Sequence, residues 1–334
     1  MKPVILTMLN LCLRRSITFL LFVTFSLLVF AQQPTECLAV ITDMIGEVVI
    51  HKTNTNIIKA FWGAQLSQGD LIKTAKASRV ALLFANGNLI NLGAESNIKI
   101  SSSNESPGQS DSKLLQGNPS MIATFSALTL KRENKDEVGI LADLRAVNTP
   151  PPIELISPCN TLIKIPKPSF SWQTNESMDE FQVSLFNSKG LVWSKKVSGN
   201  KLEYPEDEES LTFGESYFWH VEGDVMLETY KSLNQEFSIL SPEKINDVVL
   251  QEESIKDIFK GDLNAGSYHS VLGAYYMNNG LLEEAIGEFS LVSEINPEAA
   301  LPHEILGKLY ADVGKKDLAI SELQKALQLA KKEE

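Results

Sequence analysis

The sequence predicts a multidomain chain, with two all-β units followed by a C-terminal α-helical repeat region. Three observations point there. Residues 38–100 carry short apolar alternations cut by turn signals at spacings of roughly 8–12 residues, the rhythm of a compact all-β unit. Residues 153–240 repeat that rhythm with aromatic strands. After Ser241 the apolar period changes from two to helical, and a block of residues recurs at an offset of 34.

The N-terminal segment, residues 1–31, reads as an export signal. Arg14-Arg15 precede an apolar run over residues 17–30, and Val29 and Ala31 suit cleavage after Ala31. That run has 14 residues, whereas a spanning helix needs about 20. The alternative is an uncleaved anchor, and Met8 is an alternative start. Without residues 1–31 the chain has 27 bases against 42 acids, a net charge of −15. That balance argues against nucleic acid, whose phosphates need a basic surface. It also disfavours docking on anionic lipid. An exported chain would keep Cys37 and Cys159, and an oxidising compartment permits a bridge without requiring one.

Within residues 38–100, Val40-Ile41-Thr42 and residues 47–50 read as strands, and Phe61-Trp62-Gly63 as a buried aromatic before the turn Gly69-Asp70. Residues 79–84 and 89–92 flank Asn86-Gly87, whose positive-φ tolerance a tight hairpin needs. The order Gly46, Val48, Ala60, Gly63, Leu66, Gly69, Asp70, Ile72, Thr74, Ser78, Arg79, Leu82, Phe84, Gly87, Leu92, Ser96 resembles the FecR domain family, named for an iron-dicitrate sensing protein. The founding members are membrane regulators whose cytosolic segment contacts a sigma factor. At most 16 residues precede the apolar run here, a departure that argues against direct sigma-factor control.

Residues 101–120 are rich in Ser, Asn, Gly and Pro and read as a mobile linker. Residues 122–130 alternate loosely like a strand, and the first unit is drawn as extending to residue 146 on that basis. Pro150-Pro151-Pro152 closes a stiff spacer over residues 147–152. The second unit, residues 153–240, carries Phe170, Trp172, Trp193 and the alternating run Tyr217-Phe218-Trp219-His220-Val221. Leu211, Gly214, Tyr217, Trp219 and Val221 are similar to the corner of fibronectin type III domains. That resemblance implies an immunoglobulin-like sandwich and a tyrosine hydroxyl bonded back to the preceding turn. Trp172 and Trp219 read as core rather than as sugar-stacking platforms.

The helical region, residues 243–332, starts at the cap signature Ser241-Pro242-Glu243. His269, Leu272-Gly273, Tyr276, Gly280 and Ala285 recur as His303, Leu306-Gly307, Tyr310, Gly314 and Ala319, with Phe289 answered by Leu323. This resembles the tetratricopeptide repeat, whose period is 34. Two repeats, residues 266–299 and 300–333, seldom bury enough surface alone, so residues 244–259 should dock as an extra helix. The resemblance implies a concave groove that accepts an extended peptide or a partner's helix. Ser270, Ala274, Met277 and Asn278 map there from the first repeat, and Glu304, Lys308, Ala311 and Asp312 from the second. The other reading of that face is a solvated surface covering the sandwich.

Chemistry is sparse. No nucleophile elbow, zinc-protease, Walker or Rossmann pattern occurs. His269 and His303 sit at packing positions of the repeat, with a shared metal as the lesser reading. The acidic run 206–209 lacks the spacing of a calcium loop. No catalytic residue, metal or cofactor is expected. The sequence therefore reads as an exported, periplasmic or secreted non-enzymatic protein of contact modules in series, acting through a protein or peptide partner. A membrane-anchored sensor and a cell-wall glycan binder using exposed tryptophans are the alternatives.

Overall fold

The computed structural model describes residues 36–53, 57–102, 112–117, 119–129, 151–262 and 265–333. The export-signal segment and most of the spacer lie outside the described residues. A β-rich N-terminal part with several sheets precedes a C-terminal helical part.

The first part holds β1 (Cys37–Ile45), β2 (Val48–His51), β3 (Ile57–Lys59), β4 (Gln65–Ser67), β5 (Leu71–Thr74), β6 (Arg79–Phe84), β7 (Leu89–Leu92), β8 (Asn97–Lys99) and β9 (Ser112–Leu115). They form a five-stranded sheet, β4-β1-β6-β7-β9, and a four-stranded sheet, β3-β2-β5-β8. The β6–β7 hairpin turns at Asn86-Gly87 as the sequence requires. Gly87 adopts φ 83°, and the Asn86 carboxamide oxygen accepts from the Asn88 amide. Between the two sheets lies a core of Ala39, Ile41, Ile50, Leu66, Ile72, Leu82 and Ile90.

The five-stranded sheet is buried on its other face as well. Val40 of β1, Ala81 and Leu83 of β6 and Leu89 of β7 belong to a second, larger core. This is why residues 80–84 form an unbroken apolar run instead of an alternation: a sheet covered on both faces loses its polar half. The cover begins with α1 (Pro119–Thr129). Its buried residues are Ser120, Met121, Thr124, Phe125 and Leu128, the last four at the i, i+3, i+4, i+7 spacing of one helical face. Two expectations are corrected here. The segment read as a strand over 122–130 is helical through Thr129, and the linker 101–120 contains strand β9 and the start of α1.

The second β unit holds β10 (Ile153–Ser157), β11 (Thr161–Ile163), β12 (Phe170–Thr174), β13 (Glu180–Asn187), β14 (Gly190–Ser198), β15 (Lys201–Leu202), β16 (Ser216–Val225), β17 (Glu228–Lys231) and β18 (Gln235–Ile239). A three-stranded sheet, β10-β12-β15, faces a six-stranded one, β11-β18-β16-β13-β14, with β17 paired to β16. Aromatic edges fill the space between. Phe170 meets Trp219 at 5.0 Å and Trp193 at 5.4 Å, both edge to face. The Tyr217 hydroxyl accepts the Thr212 amide at 2.8 Å, the back-bond expected at this corner. The acidic run contributes Asp207 and Glu208, each 2.7 Å from the Lys195 ammonium.

The helical part comprises α2 (Pro242–Ile258), α3 (Gly266–Asn278), α4 (Leu282–Ile295), α5 (Ala300–Asp312) and α6 (Lys316–Glu333). Ser241 caps α2 through the Lys244 amide. In the second repeat, a Cβ on Gly307 would lie 2.5 Å from Leu323 Cγ, so the glycine sets how closely α5 and α6 approach. His269 contacts Glu288 at 2.7 Å and His303 contacts Glu322 at 2.6 Å. Each pair bridges the two helices of its own repeat, and the two pairs stand 34 residues apart.

The helices do not follow the β units in series; they join them. One core runs from Val40 and Leu83 through Met121, Phe125, Val271, Ala274 and Leu306 to Phe170 and Trp219. The polar contacts agree. On the side of the second β unit, Glu283 of α4 accepts from Ser157 Oγ at 2.6 Å and from the Cys159 amide at 3.2 Å. Lys164 and Tyr276 share the Glu252 carboxylate of α2 at 2.7 Å each. On the other side, Thr42 and Ser267 hydroxyls meet at 2.9 Å, and Ser120 donates to Gln251 at 3.0 Å.

Both described cysteines are free thiols. Burial, reinforced by nearby Glu283, pushes the Cys159 thiol up to about 12, and burial raises Cys37 as well. Because the thiolate is the reactive form, Ellman's reagent at pH 8 should leave Cys159 unlabelled until the chain unfolds. Rapid native labelling of Cys159 would show that the β10–β11 loop opens on its own.

Candidate functional site

The groove expected on the first helices of the repeats is largely filled by the chain itself. Ser270 and Ala274 of α3 are wholly buried, and Glu304 of α5 is buried. Met277, Lys308 and Ala311 are half-buried, and only Asn278 and Asp312, at the ends of α3 and α5, are exposed. The occupant is the first β unit with α1. Thr124 Oγ1 lies 3.4 Å from the Val271 carbonyl of α3, and Gly63 lies against the side chain of Leu301 of α5. Glu304 holds Lys308 at 2.6 Å. The eight residues thus divide into a buried seam and a small exposed remnant beside Asn160, whose amide donates to the Asp312 carbonyl at 3.3 Å. The expectation of an open concave groove is corrected accordingly.

Sequence reasoning missed Asp43, Asp262 and Gly266 in this seam and placed Thr42, Trp62 and Arg79 in the first unit alone. A bulge in β1 between Ile41 and Asp43 shifts the register against β6. Beside it, the Thr42 carbonyl accepts the Trp62 indole N–H at 2.7 Å, and Asp43 stands against Gly266 at the start of α3. Asp43 is buried, lies 3.6 Å from Arg79, and leaves Oδ1 without a hydrogen-bond partner. Arg79 also reaches Asp262 before α3 at 3.6 Å. The legible signal was the apolar run over residues 80–84, which demands a cover on both faces.

Burial raises the Asp43 carboxyl above its ordinary 3.8, with Arg79 pulling it part of the way back. The folded chain therefore binds this proton more tightly than the unfolded chain. Stability from this group falls as pH rises from about the unfolded value through the folded one. Asp43→Asn should abolish that slope, so the variant gains on the wild type in urea midpoint from pH 4 to pH 7. A difference constant across that range would contradict the assignment.

Two cavities open along the seam. One, of about 370 Å³, lies between β6, β7, β9 and the α2–α3 junction. The other, of about 590 Å³, lies between the β3–β4 region and the α4–α5 turn. Among the described residues, no group of three or more His, Cys, Asp and Glu is placed to hold a metal ion. No helix among them is long and apolar enough to cross a membrane. All four tryptophans, Trp62, Trp172, Trp193 and Trp219, are at most 3% exposed, which overturns a glycan platform built from them.

No family model matches the chain. No curated protein matches it. Among solved structures it is similar to dimeric latent PorU from Porphyromonas gingivalis, at 9% identity and TM-score 0.22, over 64% of this chain and 17% of that one. It is also similar to a multi-domain immunophilin from Arabidopsis thaliana, at 13% identity and TM-score 0.21, over 52% of this chain and 93% of that one. A third is a beta-1,2-glucanase from Parabacteroides distasonis, at 9% identity and TM-score 0.22, over 88% of this chain and 49% of that one. The chain thus spans less than a fifth of PorU and about half of the glucanase. At these TM-scores the likenesses carry no argument about function.

Proposed function

We propose that the chain is an exported, non-enzymatic protein of the FecR-domain type that works by protein contact in the bacterial envelope. On this reading the first β unit is FecR-like, the second is a fibronectin-like sandwich, and the tetratricopeptide-type helices brace the two. The observation that carries the reading is the continuous core: the repeats spend their inner face on the chain's own β unit. That is what a scaffold needs, because it fixes two β surfaces in one geometry for other proteins to meet. Partners then reach the outer β surfaces and the remnant at Asn278 and Asp312, and the role needs no cofactor.

Export rests on Arg14-Arg15, the apolar run and Ala31. Cell fractionation with N-terminal sequencing tests it. The reading expects the chain outside the cytosol with Gln32 as its first residue. An intact Met1 or Met8 in the membrane fraction would favour the anchored sensor instead. Recovery of the full-length chain from the cytosol would end both readings.

A further inference from the structure

The cavity of about 370 Å³ beside the α2–α3 junction has a lining whose charges the fold leaves unsatisfied. Its apolar wall is Leu92, Leu115, Ile258 and Phe259. Two acids, Asp43 and Asp262, and three bases, Arg79, Lys113 and Lys260, line it as well. Arg79 stands between the acids, 3.6 Å from each. Charge-assisted hydrogen bonds run at about 2.7–2.9 Å, so the guanidinium feels both carboxylates without bonding either. Its donors stay available. Lys113 and Lys260 are exposed and meet no carboxylate among the described residues. On the acid side, the Asp43 side chain is 8% exposed, and its Oδ1 has no hydrogen-bond partner. A buried carboxylate is ordinarily paired and hydrogen-bonded, and this one is neither in full.

Such a lining discriminates among ligands. A wholly apolar molecule would cover the charges and give them no partners. A plain cation would meet three like charges, and a plain anion two. A zwitterion answers both sets at once, and the four apolar residues call for an apolar body between its charged ends. The volume lies at the low end of the roughly 300–1,000 Å³ of small-molecule pockets, which suits one or two amino-acid residues and not an extended peptide.

We propose that this cavity binds a small apolar zwitterion, an α-amino acid or dipeptide. Its carboxylate is held by Arg79, Lys113 and Lys260, and its ammonium by Asp262 and Asp43. Its side chains lie on Leu92, Leu115, Ile258 and Phe259. The walls come from β6, β7 and β9 on one side and the α2–α3 junction on the other, so an occupant ties the first β unit to the helices. Binding to the folded chain alone then raises its melting temperature. The inference goes beyond the envelope reading and stands without it, since binding is measured on the purified full chain wherever the cell places it.

Isothermal titration calorimetry of the full chain with L-leucine, L-phenylalanine and leucyl-leucine tests it. At least one should bind saturably. Its N-acetyl form, which lacks the ammonium, and its C-terminal amide, which lacks the carboxylate, should each bind about ten-fold more weakly or worse. Two changes of exposed side chains, which leave the ligand-free melting temperature in place, locate the site. Asp262→Asn should weaken the free ligand and narrow its advantage over the N-acetyl form. Lys113→Gln/Lys260→Gln should weaken it and narrow its advantage over the amide. No saturable binding by any of the three up to about 10 mM would overturn the proposal. So would capped forms that bind as well as the free ligand, or discrimination that both variants leave unchanged.

Discussion

Trp219→Ala should strip the whole chain of most of its stability. Trp219 is 0% exposed, stacks edge to face on Phe170 at 5.0 Å, and donates its indole N–H to the Pro158 carbonyl at 2.8 Å. Truncation opens a cavity the rigid sheet pair cannot refill, at a cost of roughly 3–5 kcal/mol. It also leaves the Pro158 carbonyl unpaired in the core, adding about 1–3 kcal/mol. Against a total stability of about 5–15 kcal/mol, that removes most of the margin. Urea denaturation followed by tryptophan fluorescence measures it, with Trp219→Phe as the milder control. A Trp219→Ala midpoint within error of the wild type would mean that this ring is not the centre of the second unit's core.

Leu301→Asp carries the second large effect, at the opposite junction. Leu301 is 7% exposed on α5 and lies against Gly63, whose φ of 82° turns the chain after Trp62. A carboxylate there would be buried against an apolar wall with no cation supplied for it. An unpaired buried charge costs roughly 4 kcal/mol or more. Leu301→Met conserves volume and should cost less than about 1.5 kcal/mol. The diagnostic feature is where the damage appears. Hydrogen exchange in Leu301→Asp should rise in β1 and β6 of the first unit as well as in α5, because the two share one core. Exchange raised in α5 and α6 alone would show that the repeats stand independently of the β unit.

Much of the architecture was readable from residue patterns. Asn86-Gly87 announced its hairpin, Ser241-Pro242 announced α2, and the 34-residue recurrence announced two helix pairs. Tyr217 announced its own hydrogen bond. These signals are local, set by φ preference, capping and periodicity, and a sequence states local rules openly. The candidate site was less readable, because it depends on what covers what. Ser270 and Ala274 occupy the positions that would line an open groove, and nothing in their own segment says that α1 fills it. The misreading of α1 compounded this. Ile122, Thr124 and Leu128 can be read at period two, whereas Met121, Phe125 and Leu128 mark the helical face only once a covering partner is known. The one signal that pointed across the molecule was Val80-Ala81-Leu82-Leu83-Phe84. Five apolar residues in a row on a strand mean two buried faces, and the second face had to find its cover in a helix.

The central claim is that the described residues between Cys37 and Glu333 fold as one cooperative body, with the repeats bracing the two β units. Differential scanning calorimetry tests it most directly. The account predicts a single transition whose calorimetric and van't Hoff enthalpies agree, shifted as a whole by Leu301→Asp. Separate transitions, with one moved by Leu301→Asp and the others untouched, would contradict it.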